Sequence, residues 1–191
     1  MPHETESYMI ALVVLLVILV LLVFFVITQY NGLVRLRNET QNAWAQVDVV
    51  LRRRYDLVPN LVETVKGYAA HERETLEAVI QARSGAIDAS AVADQADSEN
   101  MLSGALKRLF ALSEAYPALK ADSNFMELQK ELVQTEGLIG YARGSYNESV
   151  LAFNNKGQVF PSNIIAGMFS FEPGDFFEIE DEAAGPVSVE F

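Results

Sequence analysis

The chain has 191 residues, a net charge of −12 and no cysteine, which excludes disulfides, thiolate catalysis and thiolate metal sites. So large a surplus of carboxylates argues against nucleic acid, whose phosphates need clustered Lys and Arg. The mean hydropathy of +0.14 is high for a water-soluble protein, and one segment accounts for it.

That segment runs from Met9 to Ile27 without a charged or strongly polar residue. At 1.5 Å per residue, a helix over residues 8–27 spans roughly 30 Å, the thickness of the hydrocarbon core. A cleaved signal peptide fits poorly. The start carries no Lys or Arg, the apolar run is too long, and Thr28-Gln29-Tyr30-Asn31 offers no small-x-small cleavage site. The expected order is a short extracytoplasmic tail, 1–7, and a transmembrane helix, 8–29, with Tyr8 and Tyr30 at the interfaces. Arg35 and Arg37 follow the helix and nothing basic precedes it. The positive-inside rule therefore puts the N-terminus outside and the domain in the cytoplasm.

A helical domain is expected over residues 30–157. Leu33, Leu36, Ala43, Val47 and Val50 recur at helical spacing, with Trp44 and Leu51 beside them. The membrane helix should continue through them, with Gly32 its one weak point. The stripe ends near Leu57-Val58-Pro59. Proline suits the first turn of a new helix and disfavours an α conformation at the residue before it; a kink in a continuous helix is the alternative. A second helix carries Leu61, Val65, Tyr68, Leu76 and Ile80. Around Ser84-Gly85 it fades into an Ala/Asp/Ser stretch read as a loop or frayed helix end. A third carries Met101, Leu102, Ala105, Leu106, Leu109, Phe110 and Leu112, and stops before Pro117. Asp122 or Ser123 caps a fourth helix of about 30 residues, bearing Phe125, Leu128, Leu132, Ile139, Ala142, Tyr146, Val150 and Phe153.

No period-2 strand is visible. The expected fold is all-α: a transmembrane helix continuing into an antiparallel bundle of three or four long helices, whose packed stripes supply most of the stability. Residues 158–171 form an aromatic packing segment. Residues 172–191 hold seven carboxylates and no Lys or Arg, and read as a flexible acidic tail.

Catalytic material is sparse. Arg52-Arg53-Arg54 is the one basic cluster. A phosphate or headgroup contact is conceivable, but Asp48 and Asp56 stand at helical spacing for local ion pairs. His71-Glu72-Arg73-Glu74-Thr75 begins like the zinc-hydrolase His-Glu-x-x-His, yet position 75 is Thr and the second histidine, His3, lies across the membrane. His71 is expected on a helix surface or in an interhelical hydrogen bond. Glu127, Glu131, Glu136 and Glu148 share one helix without the Glu-x-x-His of di-iron bundles, and read as a solvated face. Nucleophile, phosphate-loop and dinucleotide motifs are absent. The expectation is a non-enzyme with neither cofactor nor metal.

Several motifs are shared with a known family. Tyr30-Asn31-Gly32-Leu33-Val34, Ala43-Trp44-Ala45-Gln46-Val47-Asp48-Val49, and above all the run from Arg53 through Arg54, Tyr55, Asp56, Leu57, Val58, Pro59, Asn60, Leu61, Val62, Glu63 to Tyr68, resemble the signature of the bacterial LemA family. His71-Glu72, Ala82-Arg83, Tyr146-Asn147-Glu148-Ser149-Val150, Phe153-Asn154 and Phe160-Pro161-Ser162-Asn163 continue it, and Phe176-Phe177-Glu178 stands where the family has an aromatic close. The resemblance spans about residues 8–178 and leaves out the Ala/Asp/Ser stretch.

The resemblance implies an anchored helical bundle in the bacterial inner membrane. It carries over no established enzymatic activity, and with no kinase domain in this chain, the sensor-kinase role once attached to the family name does not transfer. Family members are associated with membrane stress and envelope proteases. The leading expectation is a membrane-anchored scaffold, a homo-oligomer or an organiser of envelope partners; the alternative is a regulatory or adaptor subunit of a membrane protease. The motif residues Trp44, Asp48, Arg53, Arg54, Asp56, Pro59, Asn60, Glu63, Tyr68, His71, Glu72, Arg83, Tyr146, Asn147, Phe153, Asn154, Phe160 and Pro161 are then candidates for structural or interaction roles. Partners are the lipid bilayer and other protein chains. Whether 158–171 packs on its own bundle or on a neighbour stays open; insertion into the anionic leaflet is disfavoured, because the adjoining carboxylates would be repelled.

Overall fold

In the computed structural model, which describes residues 2–178, helix α1 runs unbroken from Pro2 to Tyr68 through both Gly32 and Pro59. It is followed by α2 (Arg73–Asp88), α3 (Val92–Ala115), the single turn α4 (Pro117–Lys120), α5 (Ser123–Gln158) and α6 (Ser162–Met168). There is no strand among the described residues, and the fold is all-α as expected. The part of the acidic tail over 179–191 lies outside the described residues.

Two compact units divide the chain, one of Met1–Asn42 with Ser149–Gly174, the other of Ala43–Glu148 with the segment that begins at Asp175. In the first unit α1 is long and apolar enough to cross a membrane, and its residues from Leu12 to Phe24 are exposed. Beyond that stretch the helix gains partners. Leu33 is fully buried with Phe153, Ile165 and Ala166, and Val26, Leu36 and Phe171 pack against them. Ser162 Oγ closes the end of α5 by donating to the Lys156 and Val159 carbonyls. Helix α6 ends at Met168 and the chain reverses at Ser170, whose φ of 53° is left-handed; the Ser170 and Phe171 N–H groups return to the Gly167 and Ala166 carbonyls. This reversal satisfies two orphan carbonyls and turns Phe171 back onto the cluster.

In the second unit α1, α2, α3 and α5 form an up-down-up-down bundle. As α1 advances through Trp44, Arg54 and Tyr68, its partners on α5 and at that helix's cap retreat through Tyr146, Glu136 and Asp122, so α1 and α5 are antiparallel. Asp122 caps α5 as expected: its Oδ1 accepts the Phe125 N–H at 2.9 Å and its Oδ2 accepts the Tyr68 hydroxyl at 2.8 Å. Those donors, Phe125 N–H first, hold the Asp122 carboxyl below its ordinary value.

Two expectations are corrected here. The Ala/Asp/Ser stretch is mostly helix, with only residues 89–91 between α2 and α3. Its buried positions are Ala86, Gln95 and Ala96, which carry no large apolar side chain to reveal the stripe. And Pro59 sits inside α1 instead of starting a helix. A proline leaves the carbonyl four residues back without its helical donor, here that of the buried Tyr55. The Arg83 guanidinium on α2 donates Nε to that carbonyl at 2.7 Å. A cross-helix hydrogen bond thus replaces the one Pro59 removes, which lets the helix run on.

Candidate functional site: a buried arginine network and a clasped C-terminal segment

The polar heart of the second unit is Arg54. It occupies a core position of α1, in line with Val47, Leu51, Val58, Leu61 and Val65, and is 1% exposed. Its Nη1 donates to Glu99 Oε2 on α3 at 3.2 Å and faces Glu136 Oε2 on α5 at 3.3 Å; its Nη2 donates to Ser103 Oγ at 2.6 Å. One guanidinium therefore ties three helices together. Arg54 Nε is the buried side-chain atom that lacks a partner among the described residues.

Glu99 is fully buried and its second oxygen is also occupied, accepting the Tyr55 hydroxyl and Gln95 Nε2. Gln95 Nε2 reaches the Ala86 carbonyl at 2.9 Å as well. Burial raises the Glu99 carboxyl above its ordinary value, although contacts with Tyr55, Arg54 and Gln95 pull the other way. Burial and the Glu99 carboxylate push the Tyr55 phenol far up. These groups satisfy one another.

The clefts beside the network suit no phosphate. A half-open cleft of about 160 Å³ next to Arg54 is lined mainly by Leu106, Phe110, Leu132 and Val133, and is smaller than a typical ligand pocket. A larger depression of about 600 Å³ beside Tyr55 mixes Asp48 and Asp56 with Arg52 and Arg83, so it presents no single-sign field. The expected local pair forms there, Arg52 to Asp48 at 2.9 Å. Among the described residues no three His, Asp or Glu side chains are grouped to hold a metal. His71 is exposed in the turn between α1 and α2, off the helices where it was expected, while the neighbouring Glu72 accepts the Tyr116 hydroxyl at 3.0 Å.

The second feature is a pair of asparagine clasps on α5, two helical turns apart. In the first unit Asn154 donates Nδ2 to the Gly174 carbonyl at 2.9 Å and accepts the Gly174 N–H at 2.8 Å. In the second unit Asn147 does the same for Phe177, at 3.1 and 2.9 Å. A carboxamide offers one donor and one acceptor side by side, matching the two groups of a single residue's backbone. Phe177 is fully buried, its ring 5.5 Å from Trp44, and Trp44 lies 5.1 Å from Tyr146, whose hydroxyl donates to the Asp175 carbonyl. Residues 172–178, expected to begin a flexible tail, are therefore held down.

A family model described as LemA family matches residues 43–191, more than three quarters of the chain. The chain belongs to the LemA family. Protein LemA of Metamycoplasma hominis is 29% identical over 147 residues, covering 75% of this chain and 66% of that protein. The magnetosome proteins MamQ 2 of Paramagnetospirillum magneticum and MamQ of Magnetospirillum gryphiswaldense are each 22% identical over 188 residues, 85% of this chain and 69% of theirs. The chain thus spans about two thirds of the length of these relatives. The family match opens at Ala43, where the second unit begins.

Membership in the LemA family makes the protein membrane-associated through one long apolar helix followed by a helical bundle. Its motif residues divide by place. Arg54 and Arg83 serve the Tyr55–Glu99 network, and Trp44, Tyr146, Asn147 and Asn154 hold the C-terminal segment. Phe153 lies in the core of the first unit. Tyr68 bonds the Asp122 cap, Glu63 meets Lys66, and Asp48 pairs with Arg52. Arg53, Asp56, Pro59, Asn60 and Phe160 are exposed, and Pro161 is half-buried. Gln95, Glu99 and Ser103 join the network from outside the family motifs. The available signal was a polar residue on an apolar stripe: Gln95 and Glu99 precede Leu102, Leu106 and Leu109 at core spacing.

Proposed function

We propose that the chain is a membrane-anchored, non-enzymatic scaffold that self-associates and so organises partners in the bacterial envelope. The observation that carries the reading is one outward face of α5. Val133, at 65% exposure, and Tyr141, at 78%, stand there with Gly137, Gly140 and Gly144, beside which an added Cβ would meet open space. Each glycine inside a helix costs about 1 kcal/mol relative to alanine. Nothing among the described residues approaches these three closely enough to need them. A second copy does, because glycine lets two backbones come near each other while the exposed apolar side chains bury against the partner. Two further points support a task of assembly. The strongest polar cluster is engaged internally through all its groups but Arg54 Nε, and the magnetosome relatives are named for a cellular body and not for a reaction.

In lipid nanodiscs the unaltered chain should give a mass of more than one copy, and Gly140→Leu or Tyr141→Asp should reduce it to one with helicity retained. A single-copy mass for the unaltered chain overturns the scaffold. Cross-linking in cells that recovers a membrane protease, and no chain-to-chain product, would favour the adaptor reading instead.

In the orientation we propose, Arg35 and Arg37 hold the bundle on the cytoplasmic side. The absence of cysteine makes this simple to check. A Val49→Cys variant, altered at an exposed site, should resist a membrane-impermeant maleimide on intact spheroplasts and react after permeabilisation. Labelling of intact spheroplasts would reverse the topology.

A further inference from the structure

We infer that α6 and its flanks form a second membrane contact, lying in the interfacial layer of the same bilayer that α1 crosses. The inference rests on the reading of residues 8–27 as the spanning segment.

Helix α6 has two faces. Ile165 and Ala166 are buried on Leu33 and Phe153, so the segment does fold onto its own unit. The other face is left apolar and open. Phe160 is 77% exposed and Met168 68%, with Val159, Ile164 and Phe169 about half exposed. A soluble protein rarely leaves so many large side chains together in water.

The height of this face along α1 is fixed by contacts. Val26, inside the apolar run, packs against the cluster that holds Ile165. Tyr30 follows Ile27 by three residues, about 4.5 Å along the helix axis. Its ring lies 4.8 Å from that of Phe169 and 5.6 Å from that of Phe171. The headgroup layer extends roughly 5–7 Å beyond the hydrocarbon on each side. The open face of α6 thus continues the lipid-facing surface of the span into the layer where amphipathic aromatics reside.

Charge agrees with this placement locally, although the net −12 of the whole chain opposes it. Within residues 28–42 and 149–174 the charged side chains are Arg35, Arg37 and Lys156 against Glu39 and Glu172, a small positive excess. Lys156 donates to Gln29 at 2.6 Å, two residues past the apolar run, and the Arg37 guanidinium lies 5.2 Å from the Phe171 ring centroid. Lys156, held at Gln29, thereby stands at the level of the headgroup layer. The acidic surplus belongs to the rest of the chain.

Spin labels on the full chain test this directly. Ile164→Cys and Met168→Cys, both at exposed positions, are labelled with a nitroxide and reconstituted in phosphatidylcholine vesicles containing phosphatidylglycerol. Ile18→Cys supplies the deep reference. Oxygen should reach both α6 labels several-fold better than an aqueous nickel chelate does, giving a depth between that of Ile18→Cys and water. Nickel access equal to that of a dissolved label overturns the proposal, as does dipolar broadening that shows a second copy on this face. An Ile18→Cys label that reads as aqueous would remove the anchor itself, and this contact with it, while leaving the nanodisc masses to judge self-association separately.

Discussion

Arg54→Met should destabilise the second unit by about 3–5 kcal/mol at neutral pH, the cost of leaving a buried carboxylate without its cation. Three helices lose their common tie at once, since Glu99, Ser103 and Glu136 all meet that guanidinium. The loss should depend on pH, with a definite sign. Burial already raises Glu99 in the folded protein, so the native state holds its proton to higher pH than the unfolded chain does. This contribution to stability therefore falls as pH rises from the ordinary carboxylate value towards the folded one. Removing Arg54 takes away one influence that lowers Glu99 and widens that window upward. The variant should recover part of its loss on going from neutral to mildly acidic pH, as the raised Glu99 carboxyl takes up a proton. Urea unfolding of the full chain in nanodiscs, followed by Trp44 fluorescence, measures both. An equal loss at the two pH values, or one below about 1 kcal/mol, would remove the network from its central place. The double variant Arg54→Met, Glu99→Leu should regain much of the stability, because an apolar pair of similar volume leaves no charge stranded.

Phe177→Ala should have an effect of similar size, about 3–5 kcal/mol for truncating a fully buried phenylalanine. The consequence is more local. Phe177 is the anchor of an otherwise extended segment, held by backbone bonds to Asn147 and by the Trp44 and Tyr146 rings. Without it the segment should detach and become a protease site, while α1 to α3 stay folded. Trp44 emission should shift to the red as the indole loses its neighbour. Asn147→Asp should produce a milder form, because aspartate keeps the acceptor for the Phe177 N–H and loses the donor for its carbonyl. Unchanged proteolysis of Phe177→Ala would mean that the clasps hold the segment without the anchor.

The sequence by itself determined the membrane helix, the all-α class and the family. The first two are written in a long run or a repeated period: an uninterrupted apolar stretch up to Ile27, and stripes such as Leu102, Leu106 and Leu109 that need only helical geometry to interpret; the family is written in short motifs such as the run from Arg53 to Tyr68. It also marked Arg54, Arg83, Asn147 and Asn154 as motif residues without saying what they do. Their roles depend on partners distant in sequence. Arg54 looks like one of three equivalent arginines until Glu99 arrives from α3, when it becomes a core residue and Arg52 and Arg53 stay outside. Pro59 looks like a helix start until Arg83 takes the Tyr55 carbonyl that proline leaves unpaired. Residues 172–178 look like the start of a solvated acidic tail until Asn154 clasps Gly174 in the first unit and Asn147 clasps the buried Phe177 in the second. Local sequence encodes periodicity and propensity. Which polar groups meet is decided only when packed helices bring them within hydrogen-bond reach, because a buried polar group is stable where its partner stands and nowhere else.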